Sequence, residues 1–221
     1  MRMHVLDAAT RRAIAGRYDQ RGQRYYVRGK LAIDPVYGAT AQLVAEQRLP
    51  LLDIGCGIGL LAHYLHACRL LERYLGLDHD ARKIDAGNAA AKQAGLDGQI
   101  QLRAADAATL QPVRGHVTML DILHYLPRDR QPQLLRHAAR HLAPNGRLIL
   151  RNVIREPNWR FHATRVEEYF LRVSGWIPGG AQHYPSAEEI RAPLEEAGLR
   201  VSFRPLRGRT PYNSYLVVAE F

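Results

Sequence analysis

The residues best placed to do chemistry form one run, Leu51-Leu-Asp-Ile-Gly-Cys-Gly-Ile-Gly-Leu-Leu-Ala-His-Tyr-Leu65. An apolar stretch carries Asp53, glycines follow at 55, 57 and 59, and a helical pattern starts at once. That spacing predicts a short buried strand turning sharply into a helix. Without side chains there, the backbone can approach a ligand closely, and the helix start offers it unpaired N–H groups. Asp53 stands two residues before the first glycine, where a cationic ligand group would meet it. A dinucleotide fingerprint places its third glycine three residues after the second, and here Leu60 occupies that position. An NAD-dependent dehydrogenase is disfavoured on that ground.

Ligands of open parallel sheets bind beyond the carboxyl ends of the strands, so the other strand ends matter next. Tyr74-Leu-Gly-Leu-Asp78 ends in a carboxylate able to accept both hydroxyl hydrogens of a ribose, with His79 beside it. A strand predicted at 99–103 leads to Asp106-Ala107. The next apolar run reads Val117-Thr-Met-Leu-Asp-Ile-Leu-His-Tyr-Leu-Pro127, and Pro144-Asn-Gly-Arg-Leu-Ile-Leu-Arg151 reads as a turn and a further strand.

The glycine run, Asp78, Asp106-Ala107 and the Leu-His exit of the fourth strand, in this order, resemble the motifs of class I S-adenosylmethionine-dependent methyltransferases. The resemblance covers residues 49–153, and the C-terminal strands by order only. Asn145 replaces the first Gly of the family's Leu-x-Pro-Gly-Gly turn, a change that left-handed backbone tolerates. The resemblance implies a cofactor site built from Asp53, Gly55, Cys56, Gly57, Gly59, Asp78, His79, Asp106, Ala107 and Leu123, with Asp106 at the adenine amine. It places the reactive methyl near His124. An imidazole with an ordinary pKa of ~6.5 suits a general base for an oxygen acceptor, and such a base typically contributes ~10²–10⁴-fold. Asp121 would orient that imidazole or lie beside the donor's amino group. Lys30, Arg151, Trp176 and His183 are candidate acceptor contacts, and aromatics with Arg suit a small acceptor that is aromatic or anionic. Residues 1–48 would form an N-terminal helical extension folding over the cofactor as a lid, and 49–221 the methyltransferase domain.

These groups need elements to hold them. Residues 7–20 and 35–48 read as helices, and 21–30 as a polar stretch with interspersed tyrosines. Strands at 50–54, 73–78, 99–103, 116–123 and 147–153 alternate with helices at 58–70, 80–94 and 128–142. Helices at 158–174 and 187–197 follow, then β-rich 199–205 and 214–221. That order predicts a doubly wound, mostly parallel α/β sheet ending in an antiparallel strand pair.

A chain of 221 residues suits one such domain. No run approaches a membrane span, the first residues lack the apolar core of a signal peptide, and a cytoplasmic protein is expected. Cys56 and Cys68 are the only cysteines, and without clustered histidines they imply neither a disulfide nor a metal site. The net charge of +10 comes from 31 basic residues, 28 of them Arg, and residues 1–30 hold eight of these against two Asp. An RNA or tRNA methyltransferase is therefore the alternative enzyme. It is weakened by Asp121-Ile-Leu-His-Tyr125 standing where base-amino methyltransferases often carry Asn/Asp-Pro-Pro-aromatic. A cofactor-binding, non-catalytic subunit is the alternative from another class.

Overall fold

The structure is a computed structural model, and the residues it describes are 5–105, 114–162, 180–206 and 213–221. Three helices come first: α1 (Ala8–Gly16), α2 (Arg21–Ile33) and α3 (Val36–Val44). Then follow β1 (Leu51–Ile54), α4 (Leu60–Ala67), β2 (Tyr74–Asp78), α5 (Ala81–Gln93), β3 (Ile100–Ala104), β4 (His116–Leu120), α6 (Arg130–Arg140) and β5 (Leu148–Val153). The chain closes with α7 (Ala187–Glu195), β6 (Arg200–Pro205) and β7 (Ser214–Glu220).

Among the described residues, seven strands make one sheet in the order β3-β2-β1-β4-β5-β7-β6. The pairs from β3 to β5 are parallel, while β7 inserts antiparallel between β5 and β6. Strand order reverses between β1 and β4, which leaves the crevice that open α/β sheets use for ligands beyond their carboxyl ends.

Side chains alternate across a strand, and the central strands are apolar on both faces. Leu51, Ile149, Leu216 and Val218 enter one core with residues of α1 to α5. Leu52, Leu148, Leu150, Val217 and Ala219 enter the other, against Leu135 and Ala138 of α6 and Ile190 and Leu194 of α7. Such two-sided burial gives continuous apolar runs rather than alternating ones. Ser186 and Glu189 form a capping box that starts α7.

Two expectations change. Residues 21–30, expected only as a polar stretch with tyrosines, form most of α2, because Val27 and Leu31, four apart, bury one stripe against the core. The fourth strand stops at Leu120, short of 123, because Asp121 takes a left-handed φ of 59° that no strand continues. Leu123–Tyr125 then form a 3₁₀ turn. Of the helix expected at 158–174, residues 159–162 are helical and the remainder lies outside the described residues, as do the strand-pair loop residues 207–212.

Candidate active site

The glycine turn leaves β1 at the switch point. Gly55, Gly57 and Gly59 all have left-handed φ values, 80°, 56° and 71°. The N–H groups of Gly55 and Cys56 both donate to the Leu77 carbonyl, at 2.7 and 2.9 Å, pinning the turn to the end of β2. The glycines serve different ends. A Cβ on Gly55 would sit 2.2 Å from Ile122 Cγ2, whereas one on Gly57 would meet nothing within 4 Å. Gly55 answers to packing, and Gly57 borders open space. Gly59 opens α4 with no side-chain cap, so the N–H groups of its first turn are candidate donors to acceptor atoms of a ligand.

Asp78 lies beside this turn. Its Oδ2 accepts the Gly57 N–H at 2.9 Å and its Oδ1 the Asp80 N–H at 3.0 Å. Each carboxylate oxygen keeps a further lone pair for a diol. His79 projects into solvent with Nδ1 3.4 Å from Asp78 Oδ1. A nucleoside cofactor fits this donor set: a carboxylate for the ribose, open backbone amides and an unfilled space over Gly57. Asp78→Ala is expected to weaken S-adenosylhomocysteine binding strongly, since charge-assisted bonds are worth roughly 1.5–3 kcal/mol each. Titration calorimetry with the variant checks this, and unchanged affinity would remove Asp78 from the site.

Asp53 is buried at 3% exposure, and both its oxygens are engaged, by Thr118 Oγ1 at 2.6 Å and by the Tyr74 hydroxyl. Burial pushes its carboxyl up to about 6 against the pull of those hydroxyls. A cationic ligand group would have to share a carboxylate that already bridges β1, β2 and β4. Cys56 is buried, its thiol pushed well above the ordinary range by burial, and Leu123 goes into the core beneath the turn. Asp106, Ala107 and Trp176 lie outside the described residues.

The N-terminal helices reach this turn directly. The hydroxyl of Tyr18, a buried residue in the connection after α1, donates to the Ile58 carbonyl at 3.0 Å. Arg17 donates to Nδ1 of buried His63 on α4 at 2.8 Å.

A chain of charges crosses the strand ends. Lys30 Nζ is 2.9 Å from Asp34 Oδ2, Asp34 Oδ1 accepts from Arg151 at 2.7 Å, and the other Arg151 terminal nitrogen binds Asp121. Asp121 therefore holds Arg151 rather than orienting His124. Its left-handed backbone is stored where that ion pair and the Asp121 N–H bond to the Arg151 carbonyl over-determine it. Burial raises the Asp34 carboxyl, but Arg151 and Lys30 outweigh it and hold it below the ordinary range. Asp34 thus stabilises the fold above its unfolded value of ~3.9, and that contribution disappears as pH falls through the lowered folded value. Asp53 has the opposite sign: its contribution is present below the ordinary value and lost as pH rises through about 6. Asp34→Ala should lower unfolding stability by about 2 kcal/mol. That is under the ~3–5 kcal/mol for stranding a buried charge, because Arg151 keeps Asp121. Urea denaturation measures the loss.

His124 is held by Asn152, a residue of β5. Its Nδ1 lies 2.9 Å from Asn152 Oδ1, and Asn152 Nδ2 donates to the Val153 carbonyl at 2.8 Å. With the amide nitrogen so committed, Oδ1 is the acceptor, Nδ1 carries the hydrogen, and Nε2 is the basic nitrogen. Burial to 5% exposure lowers the imidazole pKa against the Asn152 bond, which favours the neutral ring. Tyr125 and Tyr184 flank that ring at 4.2 and 5.7 Å between centroids, the latter nearly parallel, and Phe161 meets Tyr184 edge-on at 5.3 Å. The His183 N–H donates to the His124 carbonyl, while its ring faces Glu189 at 3.2 Å. Asn152 was traceable in sequence only as an amide at the end of an apolar strand; nothing linked it to a histidine 28 residues away.

Among the described residues, a seven-stranded sheet of this order, with a glycine turn and the Asp78 carboxylate at the switch point, defines a Rossmann-like methyltransferase fold. The methyltransferase domain family matches residues 25–202, and the chain belongs to that family, the S-adenosylmethionine-dependent class I methyltransferases. Among curated relatives, a ubiquinone biosynthesis O-methyltransferase of Brucella anthropi is 30% identical over 187 residues, covering 78% of this chain and 73% of the relative. A 27-O-demethylrifamycin SV methyltransferase of Amycolatopsis mediterranei is 32% identical over 155 residues, 67% of this chain and 53% of the relative. Among solved structures, magnesium protoporphyrin IX methyltransferase of Synechocystis, with bound SAH, superposes with a TM-score of 0.65 at 21% identity. That match covers 96% of this chain and 92% of the other.

Proposed function

We propose that this methyltransferase transfers the methyl group of S-adenosylmethionine to an oxygen of a small, aromatic hydroxyl compound. The observation that carries the reading is the His124–Asn152 pair set among Tyr125, Tyr184 and Phe161. Relatives named for O-methylation support the choice of oxygen. The cofactor supplies an activated methyl group, so the protein's work is alignment and exclusion of water. Asp78 and the glycine turn hold the nucleoside, and α1 to α3 cover it as a lid tied down through Tyr18 and Asp34. His124 Nε2 takes the acceptor's hydroxyl proton as the oxygen attacks, and Asn152 keeps the imidazole in the tautomer that can do so. Tyr184 and Tyr125 offer ring faces to a flat acceptor; Lys30 and Arg151, paired with Asp34 and Asp121, and His183, paired with Glu189, are the candidate contacts for an anionic substituent.

The test is a panel of phenols, catechols and matched anilines with methyl-labelled S-adenosylmethionine, the product bond assigned by mass spectrometry and NMR. Label on phenolic oxygen supports the reading. Transfer only to amines, or only to RNA, overturns it.

A further inference from the structure

We propose that the solvent face of α2, with the adjoining groove against α1, is a docking surface for an anionic lipid bilayer. The first observation is an apolar sector pointing the wrong way for a soluble helix. At 100° per residue, Ala32, Tyr25, Gly29, Gly22, Ile33 and Tyr26 fall in one sector of about 120°, and all six are exposed. Tyr25, Tyr26 and Ile33 are 58%, 52% and 48% exposed, opposite the stripe of Val27 and Leu31 that the core takes. No charged residue falls inside the sector, and Arg21, Arg24 and Arg28 border it on one side.

The second observation is independent of the first. A groove of about 330 Å³ runs between α1 and α2, lined by Arg11, Arg12, Tyr25 and Arg28, and no carboxylate lines it. Arg12 and Arg28 make no ion pair among the described residues, while Arg11 donates to the Leu6 carbonyl. Residues 5–33 hold seven basic residues against two Asp, and Asp7 is spent on capping α1.

Tyrosines and an isoleucine beside arginines match the depth profile of a bilayer interface. The rings and aliphatic groups enter the headgroup–acyl boundary, and the guanidinium groups reach lipid phosphates. Charge selects the occupant. A second copy meeting this patch by two-fold symmetry would set arginine against arginine. Nucleic acid would satisfy the arginines but gives Ile33 and Ala32 nothing apolar to bury against. An anionic lipid surface satisfies both, and each basic residue near it adds affinity.

The experiment is sedimentation of the full chain with phosphatidylcholine vesicles, with and without one third phosphatidylglycerol, at low and high salt. Binding is expected on the anionic vesicles, weaker at high salt. Arg12→Glu with Arg28→Glu should reduce it by on the order of tenfold or more. Tyr26→Ser with Ile33→Ser should reduce it severalfold while leaving the salt dependence. Arg103→Glu with Arg140→Glu, carrying the same change of net charge on other elements, should leave it within twofold. Thermal melts confirm that each variant is folded. Equal binding to neutral and anionic vesicles, or none to either, overturns the proposal. So does an equal loss in the Arg103/Arg140 control. Displacement of the protein from vesicles by bulk RNA, with RNA binding intact in the Tyr26/Ile33 variant, would make the face a nucleic-acid surface instead.

Discussion

Gly57→Val is expected to abolish S-adenosylmethionine binding in a protein that still folds, whereas Gly55→Ala is expected to damage the fold itself. Both glycines are left-handed, so any side chain costs roughly 1–2 kcal/mol in backbone strain, somewhat more for a branched one. A domain with ~5–15 kcal/mol of stability tolerates that. The difference is in what the new atoms meet. Over Gly57 they enter open space beside the Asp78 carboxylate, the space proposed for the cofactor. Over Gly55 the first added carbon lies 2.2 Å from Ile122, so the turn or the β4 exit must move. Thermal melts with and without S-adenosylhomocysteine separate the two. Gly57→Val should melt near the wild-type temperature with no ligand-induced shift, and Gly55→Ala several degrees lower. A full ligand-induced shift in Gly57→Val would place the cofactor elsewhere.

His124→Ala should lower kcat by roughly 10²–10⁴-fold, the usual worth of a positioned general base, with cofactor affinity nearly unchanged. The proton leaves only as the new bond forms, so the loss appears in the transition state. The sign of the pH effect follows from burial. Only the neutral ring can accept a proton, and desolvation lowers the His124 pKa. The wild-type rate should therefore hold through neutrality and fall only below the ordinary imidazole value of ~6.5, and the variant should lose that limb. Turnover within a few-fold of wild type would leave alignment alone as the source of catalysis.

The geometry of the candidate cofactor site was legible because it is local. Gly55, Gly57 and Gly59 all take the left-handed backbone that favours glycine, and Asp78 ends its own strand, so one pass along the chain finds them. The candidate catalytic pair was half legible. His124 showed as a titratable group after a strand, but its partner is fixed by the pairing of β4 with β5, which spacing does not reveal. Asp121 illustrates the same limit: three residues from His124 in sequence, it turns away through a left-handed φ of 59° to meet Arg151. Asp34 went unnoticed because its two cationic partners come from α2 and β5. The strand ladder was readable from continuous apolar runs, whereas α2 was not, because its buried stripe is only Val27 and Leu31 among polar residues and tyrosines.

Amide hydrogen exchange with and without S-adenosylhomocysteine tests the central claim most directly, because it reports where the cofactor sits without requiring the acceptor. Slowed exchange should concentrate at residues 55–60, at 78–80 and at 121–125, with β6 unaffected. Protection absent from the glycine turn, or confined to another part of the chain, would contradict the account.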